Sequence, residues 1–254
     1  ENAVAAGITL FVSSGNDGYC DSMGWPACIS SVISVGALYD AHFTNSSIGW
    51  CVSAESCAKK YSTSGCSTGW YSLDVPYPGH VTVYSNSASF LTLLAPSHWA
   101  TTTKMGGGYW DSSYGFGSTS AACPYAAGAA PCLQNAYYAQ NNSFLTPAEV
   151  KAALTDTGDL ITDIKVNITK PSVNLSAAID SVINCTHGIT PTSASFDLNG
   201  GKGSVNVTSQ PGCAWTATSN DWWINISAGA SGMGNGTVSY NVGRTRNART
   251  GSIT

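Results

Sequence analysis

The sequence predicts an α/β fold with a parallel sheet over residues 1–184, followed by a small all-β sandwich over residues 185–254. Three observations carry that expectation. Short apolar runs bounded by glycine, such as "ITLFVSS" at 8–14 and "SVISVGA" at 31–37, read as strands covered on both faces. Helical patterns follow them at 119–138 and 147–154. Past Cys185 the helical period disappears, and short alternating runs separated by Gly, Asn and Pro replace it.

Taken in order, the opening "ENAVAAGITLFV" reads as a helix running into a strand. It has no initiator Met and no signal peptide, so the chain is expected to be a fragment lacking its N-terminal part. "HVTVYS" and "FLTLLAP" are expected to be two further strands. In "TPAEV", Thr146 is placed as N-cap, Pro147 at the first helical position and Glu149 at the third. Pro131 falls inside the 119–138 helix and is expected to kink it. "DTG" at 156–158 reads as a helix-exit turn rather than a catalytic motif. In the tail, "CAWTATS" and "DWWINI" read as strands, "SGMGNGTVSY" as a Gly-rich hairpin and the final "RTGSIT" as a strand cut short. Adjacent Trp222 and Trp223 would then point to opposite faces, one of them more exposed. Trp215, Trp222 and Trp223 either fill the sandwich core or offer a flat apolar face to sugar rings; core packing is the commoner use.

Only 9% of the residues are charged, so Ser, Thr, Asn and Gly must supply surface polarity. The net charge of -4 argues against a nucleic-acid or acidic-membrane partner. No apolar run reaches the ~18 residues of a membrane span. Nine cysteines without CxxC pairs fit a disulfide-bearing, secreted protein better than a zinc protein. Cys20 and Cys28 flank a loop short enough to staple, and Cys51, Cys57 and Cys66 cluster in one polar segment. An odd count leaves one thiol free or paired outside the chain. Cys123 is expected to be a small buried hydrophobe, and His42 and His98 to be surface or packing residues. Sequons at Asn45, Asn167, Asn174, Asn206, Asn225 and Asn235 are what an Asn/Ser/Thr-rich chain contains by chance.

The chemistry concentrates in "GFGSTSAACPYAAGAA" at 115–130, where Ser-Thr-Ser precedes an alanine-rich helix. A helix start offers free N–H groups and the positive end of the dipole, which favour developing negative charge. Ser120 can attack a carbonyl there while its own N–H faces the resulting oxyanion. A second donor is available in "FVSSGNDG" at 11–18, where Asn16 follows a buried strand on a Gly-flanked turn. The plainer readings are a helix cap for Ser120 and a turn residue for Asn16.

These residues resemble a known family. "STSAACPYAAGAA" is similar to the signature around the nucleophile of subtilisin-like serine peptidases, and "AVAAGITLFVSSGNDG" to the segment bearing their oxyanion-hole asparagine. "PACISSVISVGALYD" and "YSNSASFLTLLAPS" resemble the next core segments in the right order, and "TGDLITDIKVNITKPSVNLSAAI" the closing segment of many bacterial members. The resemblance covers residues 1–183. It implies a subtilisin-like domain, incomplete at its N-terminus, with Ser120 as nucleophile and Asn16 as oxyanion donor. Ser118 stands where the family usually has Gly, Tyr125 replaces a common non-catalytic His, and Pro131 lies inside the expected helix. The family order of Asp, His, Ser places the first two upstream of Glu1. None of His42, His80, His98 and His187 lies in a His-Gly-Thr context. This chain alone is therefore expected to be inactive.

The tail, through "CAWTATSNDWWINISAGASGMGNGTVSYNV", resembles a BACON-type domain, a bacterial β-sandwich often appended to secreted hydrolases. Together the resemblances imply a secreted, extracellular serine endopeptidase acting on protein or peptide substrates through an acyl-enzyme, with glycans as a further partner of the β-domain. No cofactor is required. A structural calcium suits the family, but no carboxylate cluster assigns its ligands. The rival expectation is a non-catalytic peptidase-like scaffold whose β-domain binds glycan or a cell surface.

Overall fold

The computed structural model describes residues 1–41, 47–98, 100–110, 116–183, 185–210 and 213–254. His42 and the sequon at Asn45 lie outside these. In chain order the elements are α1 (Asn2–Ala5), β1 (Phe11–Ser13), β2 (Ile33–Leu38), β3 (Ile48–Val52), β4 (Lys60–Ser62), β5 (Trp70–Asp74), β6 (Leu93–Pro96), β7 (Thr102–Thr103) and β8 (Tyr109–Trp110). There follow α2 (Thr119–Asn141), α3 (Pro147–Asp156), β9 (Asp159–Asp163), β10 (Ile168–Ser172) and α4 (Leu175–Val182). The remainder is β11 (His187–Thr190), β12 (Gly201–Ser209), β13 (Ala214–Thr216), β14 (Ile224–Ala228), β15 (Ser231–Met233) and β16 (Gly236–Val242). Two compact units result: Glu1–Gln134 with Phe144–Ala178, and Asn135–Ser143 with Ile179–Thr254.

The first unit is a mixed α/β structure around a sheet of order β1-β2-β6-β10-β9. The first four strands run parallel, and β9 pairs antiparallel with β10 at one edge. Every residue of β2 is buried, which is why its sequence is apolar almost throughout rather than alternating, its one hydroxyl, Ser34 Oγ, being hydrogen-bonded to Thr92. On α2, Ala122, Ala126, Ala129, Ala130 and Leu133 form one buried stripe, and the small alanines allow close approach to whatever covers them. The helix is uninterrupted across Pro131. Pro131 is exposed, so the Ala127 carbonyl that loses its helical partner lies toward water. Ahead of α3 the expected capping box is present: Glu149 N donates to Thr146 Oγ1 at 3.3 Å, and Thr146 N donates to Glu149 Oε2 at 2.7 Å. Asp156 ends that helix and Thr157 caps it, so "DTG" is indeed an exit turn.

Two expectations in this unit need correction. Residues 80–85 do not form a strand: Val81 makes an isolated bridge with Leu38, and the chain then turns, Ser85 N donating to Thr82 O. The buried Asp74 carboxylate takes Val83 N at 2.6 Å, removing the donor a ladder would need. Nor does Cys20 pair with Cys28. Cys20 bonds Cys57 and Cys51 bonds Cys66. The loop between Cys20 and Cys28 is not free to close on itself, because Met23 and Ala27 are buried in the core and Gly24 N is tied to Ser14 O. Cys28, Cys123 and Cys132 are left as thiols, three rather than one. Polar residues 48–74 fold into an antiparallel sheet of order β3-β5-β4, which the Cys51–Cys66 bridge staples.

The second unit contains a four-stranded antiparallel sheet of order β11-β12-β16-β14 and a separate pair, β13-β15. Ile183, Val207, Cys213, Ile224, Val238 and Tyr240 are among its buried residues, and Cys185 bonds Cys213. The segment "SGMGNGTVSY" is not a hairpin, since β15 pairs with β13 while β16 pairs with β12 and β14. The Trp215 indole fills the space that side chains at Gly232 and Gly236 would occupy, and its Nε1 donates to Gly234 O at 2.7 Å. That wedge holds the two strands in different sheets. Trp222 and Trp223 lie in a turn before β14, closed by Ile224 N to Asp221 O. Trp222 is 92% exposed, whereas the Arg249 guanidinium covers Trp223 at 4.0 Å. At the C-terminus, Ile253 makes an isolated bridge with Ser219 rather than a strand.

Candidate active site

Strand β1 delivers the turn 14–19 at the C-terminal edge of the parallel sheet, where α/β sites form. Asn16 is exposed on that turn. Its Oδ1 accepts two hydrogen bonds from Thr119, from the backbone N at 3.0 Å and from Oγ1 at 2.8 Å. An amide whose oxygen is so occupied presents its Nδ2 hydrogens elsewhere. Ser120, the residue after Thr119, is exposed in the first turn of α2. Asn16 and Ser120, 104 positions apart in sequence, are thus joined through one buried threonine. Thr119 lies inside the quoted motif, but nothing in the sequence distinguished it from its neighbours.

Ser118 sets the start of that helix. Its carbonyl accepts Ala121 N at 2.9 Å, and its φ is +63°, in the left-handed region that favours glycine. The family's usual Gly is therefore replaced by a residue that adopts the glycine-like conformation anyway. Its carbonyl also accepts Ser97 Oγ at 2.6 Å, and Ser97 Oγ in turn lies 3.4 Å from Tyr84 Oη. Burial pushes the Tyr84 phenol above its ordinary range. Ser118 Oγ accepts Ser120 N at 3.4 Å, a long bond that is readily given up. Pro124 has no N–H for the Ser120 carbonyl. Cys123 is partly buried, and burial raises its thiol pKa, as befits a packing residue.

His80 and His98 are each held by other groups. His80 Nδ1 donates to Val75 O at 2.7 Å beside Asp74. His98 is buried edge-on to the rings of Trp50 and Tyr39, where desolvation lowers its pKa to about 4. His187 is exposed on β11. Among the described residues no group of three or more His, Cys, Asp or Glu converges as a metal site, so no step is assigned to an ion. No helix among them is long and apolar enough to cross a membrane.

Fold and site together define an α/β domain in which Asn16, Thr119 and Ser120 gather where a parallel sheet edge meets a helix N-terminus. Residues 1–191 match the model of the subtilase family, peptidase S8, and the chain belongs to that family. Solved structures of similar fold include the prenylagaramide maturation protease PagA, at TM-score 0.50 and 21% identity over 72% of this chain and 53% of that one. The patellamide maturation protease PatA is matched at TM-score 0.49 and 22% identity, over 71% of this chain and 55% of that one. The chain thus spans about half the length of these structures. No curated protein matches it.

Proposed function

We propose that residues 1–184 are the C-terminal part of the catalytic domain of a secreted subtilisin-like serine endopeptidase. Ser120 Oγ attacks the peptide carbonyl while a histidine, oriented by an aspartate, takes its proton; both belong to sequence preceding this segment. The oxyanion is held by Asn16 Nδ2 and Ser120 N, the latter released from Ser118 Oγ. The C–N bond then breaks as the histidine returns the proton to the leaving amine, and water hydrolyses the acyl-enzyme. One observation carries this reading: Thr119 fixes the Asn16 carbonyl oxygen, so the amide hydrogens are the free end of that side chain. Three disulfides fit an oxidising, extracellular compartment. The test is fluorophosphonate labelling of the full-length protein. A covalent adduct abolished by Ser120→Ala is expected; an adduct that survives the substitution, or none at all, defeats the proposal.

For residues 185–254 the reading is a BACON-type β-sandwich that binds glycan or a cell surface. Trp222, at 92% exposure, favours it, because so exposed an indole offers its face to a sugar ring. Glycan binding by the full-length protein should fall at least about tenfold in Trp222→Ala, as expected for loss of a central aromatic anchor. Unchanged binding removes this role and leaves the peptidase reading untouched.

A further inference from the structure

Asn86 is fully buried, and its side chain does one thing. Oδ1 accepts Asp17 N and Tyr19 N, each at 3.0 Å, while Nδ2 donates to Ser14 O at 3.1 Å and to Asp17 Oδ2 at 3.2 Å. Both acceptor sites and both donors of the amide are filled, and every partner lies in the six-residue turn 14–19. The backbone repeats the pattern: Asn86 N donates to Gly15 O, Gly18 N to Tyr84 O and Ser87 N to Tyr19 O. Gly15 has φ +105°, and a Cβ there would clash with Asn86 Nδ2. The amide is therefore pressed against the chain one residue before Asn16 and hydrogen-bonded to the residue after it.

We infer that Asn86 is a positioning residue for the oxyanion donor, an inference that rests on the role proposed above for Asn16. Thr119 fixes one end of the Asn16 side chain. The other end is its backbone, and what anchors that backbone is a buried amide 70 residues away in sequence. With Asn86 truncated, Asp17 N and Tyr19 N lose their acceptor and the turn shifts relative to α2. A displacement of about 1 Å is enough to cost on the order of 100-fold in rate. Because the loss acts through Asn16, it must vanish once Asn16 cannot donate.

A double-mutant cycle on the full-length protein, read as kcat and KM on a peptide substrate, decides this. Asn86→Ala is expected to lower kcat roughly 30- to 100-fold with KM within about twofold, but less than about threefold when added to Asn16→Ala. Should Asn86→Ala fail to fold, Asn86→Asp enters the same cycle, since it keeps the acceptor oxygens and loses both donors; adding Asp17→Asn, which restores a donor across the contact to residue 17 but not the one to Ser14 O, should recover part of the lost activity. Equal losses from Asn86→Ala in both backgrounds, or an unchanged kcat, overturn the inference while leaving Asn16 in place. An Asn16→Ala variant with full kcat instead overturns the oxyanion assignment, and this inference with it.

Discussion

Ser118 holds a φ of +63° that an L-residue adopts at a cost of about 1–2 kcal/mol. Its hydroxyl also competes for the N–H that the proposed oxyanion needs. Ser118→Gly should therefore leave stability within about 1 kcal/mol, relief of strain offsetting added chain entropy, and give a kcat at or above the parent's. Ser118→Val should lose about 2 kcal/mol or more and most activity, as a β-branched residue resists that conformation. Urea unfolding and peptide turnover read both. Asn16→Ala should cost about 100- to 1000-fold in kcat, the loss measured for the corresponding donor of subtilisin itself. Ser120 and Asn16 could be singled out as candidates from the sequence because each sits in a motif. Thr119 and Asn86 were not: their work consists of contacts to a turn that is distant in sequence. The one hint was an asparagine amid serines in "YSNSAS", polar residues where a buried segment was expected.

Strands and helices with a strong period were read correctly, with ends displaced by a few residues. The elements that failed are those decided by a single side chain. Asp74 diverts residues 80–85 from the sheet by capturing Val83 N, and Trp215 wedges β15 away from β16. Disulfide pairing was illegible for a related reason, since burial of Met23 and Ala27 orients the loop carrying Cys28. The Cys51–Cys66 bridge closes a 15-residue separation, so Cys51→Ser with Cys66→Ser should lower stability by about 3 kcal/mol, seen as a lower urea midpoint. His98, just past β6, gives a pH signature. Its pKa is about 4 in the folded chain and 6.5 ordinarily, so on acidification the unfolded chain takes up the proton first. This contribution is fully present above pH 6.5, is lost as pH falls toward 4 and levels off below that. His98→Asn, which tolerates the local φ of +84°, should flatten the urea midpoint over that window.

The whole chain carries a net charge of -4 with few charged residues, so long-range steering of substrate has little to act through. The parallel sheet with its flanking helices was foreseeable because burial on both faces leaves a distinctive apolar texture. What that sheet brings together was foreseeable only through a family resemblance, because a contact such as Asn16 to Thr119 depends on the closed fold and leaves no local pattern. Catalysis as proposed requires one substrate oxygen to meet Asn16 Nδ2 and Ser120 N together. A crystal structure of the full-length protein with its fluorophosphonate adduct measures that meeting. A phosphonyl oxygen is expected about 2.7–3.1 Å from both nitrogens; an adduct on Ser120 whose oxygen turns away from Asn16, with the amide still bound to Thr119, would contradict that requirement.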